Sequence, residues 1–227
     1  MIRTLRTPLP VLALAVCLTA TACSAGFGAN PTTAPSDAAP SGQPSGGALA
    51  PPEATPLAQP PAEPASDGTT ATISTALGDI VIQLYTDSAP VATANFVNLA
   101  EAGYYDGVVF HRLVPGFVIQ GGDPTGTGTG GPGYTIQDEP VVGRYGRGIV
   151  AMARTTQPDS QGSQFFIVLD DEAEGALEAA RTYTIFGEVT EGMDVADAIA
   201  ATPNSGAETG NQALEPVAMD SVTVSRP

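Results

Sequence analysis

From Thr69 onward the apolar residues come in short runs, dense in Val, Ile, Phe and Tyr and broken by Gly, Pro and Asp, and this punctuation is the strongest constraint on the fold. Runs of that length and composition predict strands rather than helices. "TATISTALGDIVIQLY" reads as a β-hairpin around the turn Leu77-Gly78-Asp79, and further strands follow in "GVVFHRL", "FVIQGG", "GIVAMA", "SQFFIVL", "YTIFGEV" and the C-terminal "VAMDSVTVSR". Two segments carry a helical period instead. After Asp87 and Ser88, either of which can cap a helix, Pro90 suits the first turn, and Val91, Ala94, Phe96, Val97 and Leu99 form an apolar band that stops near Gly103. "GMDVADAIAA" is a second, shorter helix. Seven or eight strands with two helices, and no regular alternation of strand and helix, predict a closed, mostly antiparallel barrel whose ends the helices cover.

The first 68 residues have too little aromatic and β-branched content to build a core. Arg3 and Arg6 precede the apolar run "VLALAVCLTATA", which is too short to span a bilayer comfortably and is laid out like a secretory signal. It ends in "TATAC", where Ala20 and Ala22 just before Cys23 resemble a bacterial lipobox. On that reading residues 1–22 are a signal peptide and Cys23 is the lipidated mature N-terminus, so the protein is anchored to a membrane on the extracytoplasmic side of the cell envelope. Cleavage near Ala25, giving a free secreted protein, is the alternative. Neither keeps Cys17, so no intramolecular disulfide is available to the mature chain.

Residues 24–68 carry ten prolines among Ala, Ser and Gly with no hydrophobic period. That is the composition of a solvated tether, which as polyproline II would reach roughly 140 Å at about 3.1 Å per residue. The folded domain is then residues 69–227. Eight arginines and no lysine stand against 24 acidic residues, a formal charge of −16. A chain so anionic offers no basic stripe to a phosphate backbone, which argues against nucleic acid as a partner.

The chemistry-bearing residues sit inside the strand runs. In "FHRLVPGFVIQGGD", Pro115-Gly116 has the pair favoured at the centre of a type II turn, which delivers Phe117 at the head of a strand. Alternation then sets Val118 and Gln120 on one face and Phe117 and Ile119 on the other, and in the preceding strand Phe110 and Arg112 share a face. An arginine and a glutamine beside apolar groups are costly unless satisfied. They form either a structural pair or a binding site. A second segment, "GIVAMARTTQPDSQGSQFFIVL", repeats the pattern with Gln164 beside Phe165 and Phe166.

The stretches "FHRLVPGFVIQGGD", "GTGTGG", "IVAMA", "GSQFFI" and "TIFGEV", in this order and at these spacings over residues 70 to 226, resemble the cyclophilin family of peptidyl-prolyl cis-trans isomerases. The resemblance implies a mainly β fold, a closed eight-stranded antiparallel cyclophilin-like barrel capped by two α-helices. It implies that Arg112 is the catalytic arginine, that Gln120 holds the arginine and the peptide, and that Phe117, Val118 and Phe166 line a proline pocket. Ala153, Arg154 and Gln164 line the groove for the residues preceding proline. Val118 stands where many members have methionine, and Arg154 where others have asparagine, a position that acts largely through its backbone. No metal and no cofactor are implied. The partners are proline-containing peptides and unfolded exported proteins, met by a monomer.

Physical chemistry supports these roles. Rotating an X-Pro bond means losing amide resonance, over a barrier near the roughly 18–20 kcal/mol of a peptide bond, and no bond is broken. The reaction needs an apolar cup for the ring and a fixed donor for the twisted amide. A guanidinium keeps its charge at every working pH. His111, the chain's one histidine, adjoins Arg112 and so faces the opposite side of the strand, with no nucleophile motif beside it; it reads as a structural, hydrogen-bonded residue. The glycines of "PTGTGTGGPGYTI" lack the following Gly-Lys pair of a phosphate loop and read as a tight loop beside the peptide groove. Arg144 and Arg147 read as surface charges.

The segment "DDEAEGALEAARTYTIFG" departs from the family pattern. Many members have tryptophan, leucine and then histidine here. This chain has no tryptophan, Tyr183 falls where the histidine does, and Leu177 is the candidate pocket leucine. Weak binding of cyclosporin-type macrocycles is the implied consequence. The rival to an active isomerase is a proline-peptide binding or chaperone module with little turnover, since a fold alone does not establish activity. The arginine argues for the enzyme, because a pure binder has no use for it.

Overall fold

The computed structural model describes residues 63–227. The segments read as a signal peptide, a lipidated Cys23 and a tether lie, as far as residue 62, outside the described residues. Residues 63–68 run beside the start of the first helix: Ala65 N donates to Ser88 Oγ at 2.7 Å and Asp67 N to Thr86 Oγ1 at 2.8 Å.

Eight strands form one antiparallel sheet. They are β1 (Thr70–Thr75), β2 (Gly78–Leu84), β3 (Arg112–Val114), β4 (Val118–Gly121), β5 (Ile149–Met152), β6 (Phe165–Val168), β7 (Ile185–Glu191) and β8 (Met219–Ser225), in the order β3-β4-β6-β5-β7-β2-β1-β8. The first hairpin pairs Thr75 with Gly78, so its turn is Ala76-Leu77, one residue earlier than the glycine suggested.

The expected closed barrel is not what forms. The sheet curls into an open half-barrel with β3 at one end and β8 at the other. The cause is that "GVVFHRL" does not run as one strand. Its first part pairs with the C-terminal segment, Gly107 N donating to Met219 O at 2.8 Å and Phe110 N to Val217 O at 2.9 Å. Its second part, β3, turns to β4 on one side and on the other to the 211–213 segment, where Leu113 N meets Asn211 O at 2.9 Å. Between these parts there are isolated bridges rather than a ladder.

Three α-helices stand among the described residues, one more than expected: α1 (Pro90–Glu101), α2 (Glu174–Ala180) and α3 (Met193–Ala200). Neither Asp87 nor Ser88 caps α1. The N-cap is Ala89, and the free N–H groups of Val91 and Ala92 donate instead to the Glu139 carboxylate at 2.9 and 2.8 Å. The buried face is also turned from the apolar band. Val91 and Ala94 face outward, while Thr93 and Asn95 are buried. Asn95 tolerates this because its amide donates to Gly162 O at 2.7 Å and accepts from Tyr134 Oη at 2.8 Å.

The concave face packs α1 and α3 over a core that includes Ile73, Ile82, Phe96, Phe110, Ile119, Phe165 and Phe186. Strand alternation sends the neighbouring residues Val118, Ala151, Phe166, Val168 and Ile185 to a second apolar cluster on the other face, closed by Leu177 of α2 and by Tyr145. Both faces of β5 and β6 are thereby covered, which is why every residue in those two strands is buried.

Candidate active site

The site follows from strand register. Arg112 of β3 pairs with Gln120 of β4, Gln120 with Phe166 of β6, and Phe166 with Ala151 of β5. Four strands thus align one row of side chains across one face. The Val114–Phe117 turn that joins β3 to β4 is closed by Phe117 N donating to Val114 O at 2.9 Å, with Gly116 at a φ of +72° that suits glycine at the third turn position.

A cavity of about 210 Å³ opens on this row, lined by Arg112, Phe117, Val118, Gln120, Ala153, Arg154, Phe166, Ala176, Leu177 and Tyr183. Phe117 and Val118 therefore face the same space, not opposite sides. Phe117 precedes the first β4 residue, so the alternation that governs Val118 to Gly121 does not reach it. Nor do Phe110 and Arg112 share a face: Phe110 lies before β3 and is fully buried in the concave core. Gln164 borders an adjoining depression of about 370 Å³ together with Gln120, Ala153, Arg154 and the glycine loop. All ten predicted catalytic and substrate-binding residues thus border these two adjoining spaces. Ala176 is an additional wall residue that sequence reasoning missed.

Arg112 Nη1 donates to Gln120 Oε1 at a long 3.5 Å, and Gln120 Nε2 donates to Gln164 Oε1 at 2.9 Å. Of the six arginines among the described residues, the other five each meet a carboxylate within 2.5 to 2.9 Å. Arg112 has none, so its charge is left for whatever enters the cavity. Arg154 shows the contrast. Its guanidinium bonds Asp138 at 2.9 Å and the Gln157 carbonyl at 2.6 Å, so its charge is already satisfied within the protein.

The far wall rests on a residue that the sequence reading did not single out. Tyr145 is fully buried, its hydroxyl donates to Tyr183 O at 2.7 Å, and it accepts from Tyr183 N at 3.1 Å. Burial pushes its phenol up to about 12, so it stays protonated and keeps the donor. Tyr183 in turn meets Phe166 edge to face, with ring centroids 5.3 Å apart. Of α2, only Leu177 is buried, and it closes the cavity beside Tyr183.

His111 is buried, 5% exposed, and does not line this cavity; it borders a separate depression with Arg112, Gln120, Thr127 and Gly128. Neither ring nitrogen has a hydrogen-bond partner of normal geometry, which corrects the expectation of a hydrogen-bonded histidine, although the Val109 backbone lies near enough to favour the charged form slightly. Burial, with a further push from the Arg112 charge, outweighs this and the larger opposing pull of the Asp123 carboxylate, and holds the imidazole below its usual pKa.

A family model, cyclophilin type peptidyl-prolyl cis-trans isomerase/CLD, matches residues 70–224. The chain is 42% identical over 175 residues to a probable peptidyl-prolyl cis-trans isomerase A of Mycobacterium leprae, covering 69% of this chain and 92% of that protein. It is 43% identical over 173 residues to peptidyl-prolyl cis-trans isomerase B of Streptomyces anulatus, covering 68% of this chain and 95% of that one. Among solved structures it is similar to a cyclophilin-type peptidyl-prolyl cis-trans isomerase of Cryptosporidium parvum determined in the presence of the dipeptide Ala-Pro, with a TM-score of 0.61, 30% identity, and coverage of 70% of this chain and 99% of that one. With an unpaired arginine over an apolar cavity on an eight-stranded half-barrel, and these relatives, the chain belongs to the cyclophilin-type peptidyl-prolyl cis-trans isomerases.

Proposed function

We propose that the protein accelerates X-Pro isomerisation in exported proteins by electrostatic stabilisation of the twisted amide with Arg112. The proline ring enters the cup of Phe117, Val118, Phe166 and Leu177. Its departure from water holds the ring still while the carbonyl side of the bond turns. As resonance is lost the amide nitrogen becomes pyramidal and regains a lone pair, and the Arg112 guanidinium donates to it. That interaction is stronger in the twisted state than in either planar isomer, which is the condition for lowering a barrier rather than merely binding. Gln120 holds the guanidinium from one side, and Gln164 with the Ala153 and Arg154 backbone receives the residues before proline. The single observation that carries the reading is that Arg112, alone among the described arginines, has no carboxylate partner and sits at the mouth of the apolar cup.

The Cryptosporidium parvum structure was determined in the presence of Ala-Pro, and the same unit is the minimal substrate proposed here. An exchange assay on an Ala-Pro peptide tests it. Wild type accelerates exchange, Arg112→Ala loses about two to three orders of magnitude in kcat/KM, and equal rates would falsify the reading.

The setting proposed is extracytoplasmic, with the domain on a Pro-rich tether from a lipidated Cys23. Detergent-phase partitioning that is lost in Cys23→Ala supports the anchor, and identical partitioning of the two argues for a free secreted form. With tyrosine and leucine in place of the usual tryptophan wall, cyclosporin-type macrocycles are expected to bind weakly.

A further inference from the structure

The hydrogen bond to Arg112 is the last link of a longer chain that begins at Asp123, a residue outside both cavities described above. Asp123 is 1% exposed. Its Oδ1 accepts from Thr125 N at 2.7 Å and Thr125 Oγ1 at 2.8 Å, and its Oδ2 accepts from Gly128 N at 2.6 Å and Gly130 N at 3.0 Å. The loop is wrapped so tightly on the carboxylate that a Cβ at Gly130 would lie 2.0 Å from Oδ1. With their N–H groups turned inward, the Gly128 and Gly130 carbonyls face Gln164 Nε2 at 3.1 and 2.8 Å. Gln164 must then present its oxygen to Gln120 Nε2, and Gln120 its oxygen to Arg112 Nη1. The polarity of the whole chain is set at its start, because each primary amide has one donating end and one accepting end. Either amide reversed would oppose donor to donor or acceptor to acceptor.

We propose that Asp123 is a positioning residue for Arg112: through the glycine loop and the amides of Gln164 and Gln120, it sets the orientation of the guanidinium that acts on the substrate. This rests on Arg112 being the catalytic group. The anchor stays anionic throughout the working range. Burial alone would push its carboxyl up, but the bonds from Gly130 N, Thr125 N, Thr125 Oγ1 and Gly128 N together outweigh it and hold the pKa at about 2.

The test is a double-mutant cycle in the exchange assay. Asp123→Asn is expected to lower kcat/KM about tenfold, through kcat and with KM changed less than about twofold, since the proline cup is untouched. In the Arg112→Ala background, read at high enzyme concentration, the same substitution has no further effect. An equal loss in both backgrounds, or no loss in wild type, overturns the proposal. If Asp123→Asn does not fold, Gln164→Met breaks the chain beyond the loop while keeping the Asp123 bonds. Because Gln164 also receives the residues before proline, KM rises in both backgrounds; the loss in kcat must vanish in the Arg112→Ala background, and a kcat loss that persists there overturns the proposal. An Arg112→Ala variant as fast as wild type defeats both this and the catalytic reading, whereas an Arg112-dependent rate with additive Asp123 effects defeats only this one.

Discussion

At the level of single residues, the protein satisfies its charges in two opposite ways. Five of the described arginines are held by carboxylates and the sixth is kept free. Asp123 is the reverse case, a buried charge with a full set of donors, and it makes a pH prediction. Its pKa is lower folded than unfolded, so its stabilisation is present above about pH 4 and is lost as pH falls toward 2. The stability difference between wild type and Asp123→Asn, read by urea unfolding, should therefore shrink by about 2 kcal/mol between pH 6 and pH 2. A difference that does not change with pH would contradict the assignment. Arg112 and Gln120 were legible in the sequence because polar groups inside apolar strand runs stand out. Tyr145 was not, because "GRYGRG" reads as a polar loop and its partner, Tyr183, lies 38 residues away. The paired nitrogens expected of His111 were absent for a similar reason: sequence shows that a group is polar, while its partners depend on what packs over it.

At the scale of elements, period and punctuation located the strands and two of the helices, while contacts distant in sequence decided the details. The α1 cap is supplied by Glu139, separated from Val91 by 48 residues, so neither Asp87 nor Ser88 could reveal it. Glu139→Ala should cost about 1 kcal/mol in chemical unfolding, the usual worth of a cap with its charge at the helix N-terminus. An unchanged midpoint would mean that water serves these N–H groups as well. The α1 face was misjudged because Asn95 counts as polar in any pattern, although its hydrogen bonds let it be buried. The far wall of the site carries a second prediction. Tyr145→Phe removes both bonds to the Tyr183 backbone, which should destabilise the fold by about 1–2 kcal/mol and raise KM more than it lowers kcat. A loss confined to kcat would show that Tyr183 is held by something else.

At the scale of the whole molecule, the strand count and antiparallel sense were readable, but closure was not. One apolar run, "GVVFHRL", serves two partners and leaves the sheet open between β3 and β8. The open end is where the 211–213 segment braces the strand that carries Arg112. The formal charge of −16 acts over the entire surface. Peptides with arginine beside the Ala-Pro unit should be turned over several-fold faster than those with glutamate at low ionic strength, and the gap should close as salt approaches about 1 M. A preference insensitive to salt would point to a specific contact instead. The central claim is that Arg112 acts on the twisted amide and not on the bound ground state, and the direct measurement separates the two. In Arg112→Ala, peptide affinity by titration should stay within about threefold of wild type while catalysed exchange falls by about two to three orders of magnitude. Exchange that persists, or a loss of affinity as large as the loss of rate, would contradict it.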